Sequence, residues 1–176
     1  MIRPQLCIIQ EFCAGGSLER QLYTERWKPN PRQVLEMALG VAKGMDYLHT
    51  KYVKNGVPTP LIHRDLKSGN LLLVTAPTTD SVPAPVVKVA DFGISTEKLQ
   101  KVSTTAPDSA VTQKMTGCGT VMWMAPEILL GETYNEKVDV FSYAMCLVEL
   151  LDRKVPVRAS CMSLLWTRAS PETRHV

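Results

Sequence analysis

Apolar residues at Val34, Met37, Ala38, Val41, Met45 and Leu48 recur in steps of three and four, which is one face of a helix. Ahead of them, Asn30 and Pro31 supply an N-cap and a proline at the first helical position, and Gln33 is placed to complete a capping box. The spacing predicts a helix over residues 31–51, ending near Tyr52. Gly40 and Gly44 each weaken such a helix by up to about 1 kcal/mol relative to alanine, so both are expected at points of close packing. A second dense apolar run, Asp139 to Leu151, has helical length. Leu6 to Phe12 reads as a strand followed by a turn at Ala14-Gly15-Gly16, with Ser17 capping a short helix. Leu71 to Val74 and Val86 to Ala90 read as two strands joined by the breaker-rich surface loop Thr75 to Pro85, and Val57 to Pro60 reads as a turn. Gly93 to Thr120 shows no period and predicts a long irregular segment.

Composition places these elements in one soluble globular domain: 176 residues, 45% hydrophobic and 21% charged. The net charge of +3 belongs to the end of the chain, because residues 153–176 carry +4 and the remainder is almost neutral. That leaves no electrostatic case for a nucleic-acid or anionic-membrane partner. Five widely spaced cysteines without a C-x-x-C pair argue against a disulfide framework or zinc site and fit reduced thiols in the cytoplasm. The run Val140 to Leu151, interrupted by Glu149, falls short of the roughly 20 residues of a membrane span and reads as a buried helix. Leu6 to Ile9 is too brief for the roughly 7–15 apolar residues of a signal peptide.

Three motifs then stand in order: His63-Arg64-Asp65-Leu66-Lys67-Ser68-Gly69-Asn70, Asp91-Phe92-Gly93 and Met124-Ala125-Pro126-Glu127. Together they resemble the eukaryotic protein kinase catalytic domain. The resemblance implies an α+β, protein-kinase-like fold, with a mainly helical C-terminal lobe, short β-hairpins and one residual N-lobe strand at Leu6 to Phe12. It implies ATP and Mg2+ as cofactors and a protein substrate. Phosphoryl transfer asks a protein for positioning and charge neutralisation more than covalent chemistry. By resemblance, Asp65 accepts the substrate hydroxyl's proton, Lys67 lies near the transferred group, and Asn70 and Asp91 hold magnesium with hard oxygen ligands. Thr120 resembles the threonine that contacts the catalytic aspartate and lysine. Gln10 falls at the gatekeeper position, Glu11 and Cys13 in the adenine-binding hinge, and Leu72 beneath the adenine ring, although an ordinary core leucine would be buried alike. Gly93 is expected to give backbone freedom beside Asp91.

Other residues take structural roles in this reading. His63 packs against Phe92, Asp139 holds the catalytic-loop backbone, Glu127 resembles the glutamate that pairs with a late arginine, which has no identifiable counterpart here, and Cys13 is an inert buried thiol. Lys67 after Asp65-Leu66 resembles serine/threonine kinases, and Gly119-Thr120 with Trp123 to Glu127 looks like the tyrosine-kinase-like group among them. Arg64 before Asp65 suits a phosphorylated activation segment, with Ser103, Thr104, Thr105, Thr112 and Thr116 as candidate acceptors for an upstream kinase; such clusters also occur in plain loops. The resemblance covers about residues 5–155, taken as a partial kinase domain (1–155) followed by a divergent basic tail (156–176). It includes no glycine-rich loop, lysine strand or regulatory helix, so a fragment is expected, poorly active by itself. The alternative is a catalytically inactive binding or regulatory module derived from a kinase.

Overall fold

A computed structural model describes residues 7–78, 83–97 and 120–156, with Thr120 described by its backbone alone. The chain enters through β1 (Gly16–Ser17) and α1 (Leu18–Tyr23), whose N-cap Ser17 accepts the Arg20 amide at 3.2 Å. The long helix α2 (Pro31–Asp46) carries the complete capping box, Gln33 N to Asn30 Oδ1 at 2.9 Å and Asn30 N to Gln33 Oε1 at 2.9 Å. It continues as a single π-helical turn, Tyr47–Lys51. The helical residues thus run to 51 as expected, but the last turn is wound wider. A two-residue hairpin follows, β2 (Val53–Lys54) against β3 (Val57–Pro58), so Val57 opens a strand rather than a turn. Asn55 and Gly56 between them have φ of 51° and 79°, the left-handed pair that a two-residue hairpin loop requires.

Leu71 and Val87 open the two expected strands, β4 (Leu71–Leu73) and β5 (Val87–Val89), which pair antiparallel with Leu71 opposite Val89 and Leu73 opposite Val87. Strand β1 joins on the other side of β4 with Gly16 opposite Leu73, giving a three-stranded sheet ordered β1-β4-β5. The approach at Gly15 is close: a Cβ there would lie 2.4 Å from the Thr75 carbonyl oxygen. A short α3 (Pro126–Leu129) precedes α4 (Lys137–Asp152). Leu18, Met37, Val41, Leu66, Leu71, Leu73, Cys146 and Leu150 form one core between α1, α2, α4 and the sheet, and Ile62, Ala125 and Val138 a smaller one. The architecture is a mixed α/β one with small antiparallel sheets.

Two expectations change here. Residues 7–13 form no strand, and Ile8, Ile9 and Phe12 are 92%, 97% and 86% exposed. A lone extended segment leaves its backbone groups without ladder partners, and among the described residues no strand lies beside it to supply them. Gly44 does sit at a close approach, with its missing Cβ 3.3 Å from Val89 Cγ2, whereas nothing lies within 4 Å of a Cβ at Gly40. No helix among the described residues is long and apolar enough to cross a membrane.

Candidate active site

Asp139, fully buried in the first turn of α4, accepts three hydrogen bonds: His63 N and His49 Nε2 on Oδ2 and Arg64 N on Oδ1, each at 2.8 Å. A carboxylate taken out of water needs such donors. In return it anchors the loop that begins at His63. Arg64 has φ of 69°, a left-handed conformation that this anchoring supports, and its guanidinium reaches the Ile94 carbonyl and the Tyr134 hydroxyl at 2.6 and 3.0 Å. His63 is fully buried, its ring edge-on to Phe92 with centroids 5.2 Å apart and its Nε2 3.0 Å from the Ala90 carbonyl. The packing role read for His63, and the loop-holding role read for Asp139, both match this geometry.

Asp65 follows, with Oδ2 accepting Lys67 Nζ at 3.0 Å and Asn70 Nδ2 at 3.0 Å. Its Oδ1 is buried and has no hydrogen-bond partner among the described residues. Buried polar atoms are usually satisfied, which sets this oxygen apart from Oδ2. Asn70 is nearly buried and also donates to the Asp65 carbonyl at 2.8 Å. It sits at the end of a 3-10 turn, Ser68–Asn70, that leads directly into β4. Asp91 leaves the opposite strand: the Ala90 amide bonds the Asn70 carbonyl at 2.9 Å, so Asp91 is one residue from a bond to the loop. Asp65, Lys67 and Asn70 are therefore in direct contact, and Asp91 follows the residue whose amide bonds Asn70.

The conformational freedom expected at Gly93 lies at Asp91 itself, which has φ of 65°. Gly93 instead makes room, since a Cβ there would stand 3.1 Å from Asp91 Oδ1, and its amide donates to that oxygen at 3.2 Å. Asn70 and Asp91 offer two hard oxygen donors, which suits magnesium, an ion that completes its shell with waters and phosphates. Among the described residues no three His, Cys, Asp or Glu side chains group into a metal cage.

The residues expected in the hinge fare differently. Gln10 and Glu11 are exposed and Cys13 is half-buried rather than buried. Ala14 N and Gly15 N bond the Val74 and Leu73 carbonyls at 3.1 and 3.0 Å, which brings this segment to the sheet beside half-buried Leu72. Glu11 reaches Lys88 Nζ at 3.4 Å, and Lys88 is the register partner of Leu72. The Thr120 side chain and the candidate acceptors Ser103, Thr104, Thr105, Thr112 and Thr116 lie outside the described residues. So do Arg158, Arg168 and Arg174, the arginines that follow Pro156.

One group in this region escaped the sequence reading. Glu149 is fully buried and accepts Tyr23 Oη at 2.7 Å, Ser68 Oγ and Trp123 Nε1 at 3.0 Å. Burial pushes its carboxyl above the ordinary carboxylate value, while the three donors pull the other way. Burial next to it likewise raises the Tyr23 hydroxyl and the Cys146 thiol. The available signal was an acid at the centre of an otherwise apolar helical run.

Residues 1–163 match the family model described as protein tyrosine and serine/threonine kinase. The chain is similar to mitogen-activated protein kinase kinase kinase 10 of Mus musculus, 37% identical over 155 residues. It is also similar to kinase kinase kinase 11 of Homo sapiens, 35% over 164 residues, and to 13 of Mus musculus, 38% over 164. These alignments take in 88%, 93% and 93% of this chain but 15%, 17% and 14% of the relatives, so the chain spans about a sixth of their length.

Proposed function

The chain belongs to the protein tyrosine and serine/threonine kinase family, and from that premise we propose that it carries the catalytic loop of a serine/threonine protein kinase. The observation that supports this most is the Asp65 carboxylate, with Oδ2 tethered by Lys67 and Asn70 and Oδ1 buried and without a partner among the described residues. Oδ1 accepts the proton of the substrate hydroxyl and aims that oxygen, as general-base geometry requires. Lys67, held 3.0 Å from Asp65, adds positive charge where negative charge gathers during transfer. Asn70 and Asp91 would hold Mg2+, which when bound neutralises the phosphates of ATP. Glu11, Cys13 and Leu72 would form the nucleotide's adenine edge beside Gln10, and Thr120 would approach Asp65 from the following segment. The relatives' names describe kinases that act in a kinase cascade, so a protein substrate with an acceptor serine or threonine is the class proposed.

The test is phosphotransfer by a chimera in which a glycine-rich lobe from the family precedes Met1, with Asp65→Asn beside it. Turnover lost in the variant supports the reading. Asp65-independent turnover would reject it, and a chimera that binds Mg-ATP without any turnover would favour the inactive-module alternative.

A further inference from the structure

We propose that Glu149 is a positioning residue of the active site: its one buried carboxylate sets the catalytic loop against α1 and against the segment that begins at Thr120. The inference rests on the kinase reading of Asp65 and Lys67, and deepens it. A carboxylate offers about four acceptor positions, and here three of them serve donors far apart in sequence, Tyr23, Ser68 and Trp123. No apolar residue in α4 could satisfy all three, and each would be left as a buried unpaired donor. Lys67 has extended backbone angles, φ −157° and ψ 166°, so the side chains of residues 67 and 68 point to opposite sides. Lys67 faces Asp65 and Ser68 faces Glu149. The 3-10 turn after Lys67 has no side-chain cap; the inward Ser68 bond ties its first residue to α4, as Asn70 Nδ2 ties its last to Asp65. On the other side α4 grips Trp123 twice, at the indole through Glu149 and at the carbonyl through Ser142 Oγ at 2.7 Å. The loop that presents the base and the segment that follows Thr120 thereby share one fixed point.

Amide hydrogen exchange on the whole chain tests this. Asn70 N bonds Lys67 O and Leu71 N bonds Ser68 O, whereas His63 N and Arg64 N hang on Asp139. Glu149→Gln presents an amide donor to the Trp123 indole, and should speed exchange about tenfold at Asn70, Leu71 and the indole N–H, the loss of one charge-assisted bond. His63 and Arg64 should be unchanged. The milder Ser68→Ala should speed Asn70 and Leu71 alone. In the chimera, both variants should lower kcat about tenfold and leave KM for ATP in place, because the hinge is untouched, with the double variant no worse than either single one. Equal acceleration at His63 and Arg64, or no acceleration at Asn70 and Leu71, would overturn the inference. If exchange responds as expected but turnover ignores Asp65→Asn, it is the kinase reading that falls.

Discussion

Asp65 has one oxygen tethered by Lys67 and Asn70 and one without a partner among the described residues, and a change that keeps its shape separates the two. Asp65→Asn preserves size but removes the basic acceptor, so kcat in the chimera should fall by about a hundredfold or more with circular dichroism and melting unaltered. A stable variant with parental kcat would show that the tethered oxygen is all that matters. Glu149 gives a second expectation, read from pH. Because burial raises its carboxyl in the folded chain, the native state binds a proton that the unfolded chain has already released between the ordinary carboxylate value and the raised one. Its contribution to stability is therefore greatest at low pH and declines as pH rises through that window. Urea unfolding of Glu149→Gln should show a flatter dependence there than the parent; an equal slope would refute the assignment of the shift to this group.

At the scale of elements, the two glycines of α2 make opposite predictions. Gly40→Ala meets nothing within 4 Å and should stabilise by about 0.5–1 kcal/mol in urea unfolding, whereas Gly44→Ala presses on Val89 Cγ2 at 3.3 Å and should gain less or lose. Sequence spacing alone treats the two alike, because helical periodicity says which face a residue occupies and not what stands opposite. The same boundary runs through the rest of the fold. Helices α2 and α4 and strands β4 and β5 were legible because each buries one face against the core, and burial writes itself into the apolar pattern. The hairpin at Asn55-Gly56 was not, since its strands are two exposed residues each, although the dipeptide is a recognised turn signal. Leu6 to Phe12 has a strand's composition, but a strand is a pairing and composition supplies no partner. In the site, Asp65, Asn70 and His63 were readable from motif spacing. The tie from Ser68 through Glu149 to Trp123 was not, because it joins residues 81 and 26 positions from Glu149.

For the molecule as a whole, the charge-bearing residues stand on a supported loop while the nucleotide's expected edge at residues 10–13 is open to water. The 176-residue chain by itself should thus transfer phosphate at least about a hundredfold more slowly than the chimera, since misplacement of about 1 Å suffices for that; radiolabelled phosphotransfer on both measures it, and comparable Asp65-dependent rates would refute it. Ile9, 97% exposed, lies outside the core, so Ile9→Ser should leave unfolding within about 0.5 kcal/mol of the parent. The β4–β5 hairpin carries a last consequence, for engineering. Its register pairs Leu71 with Val89, so Asn70 and Asp91 flank the same end of the ladder, and the connection from Val74 to Val86 closes the other. The two proposed magnesium ligands thus stand at the end of the ladder opposite the connection. Closure entropy grows slowly with length, by about 0.6 kcal/mol for each doubling of a loop. A fluorescent or affinity tag spliced into the connection would leave the hairpin at the end away from Asn70 and Asp91, provided that Val74, which accepts from Ala14 N, and Ala84, which donates to Glu36, are kept.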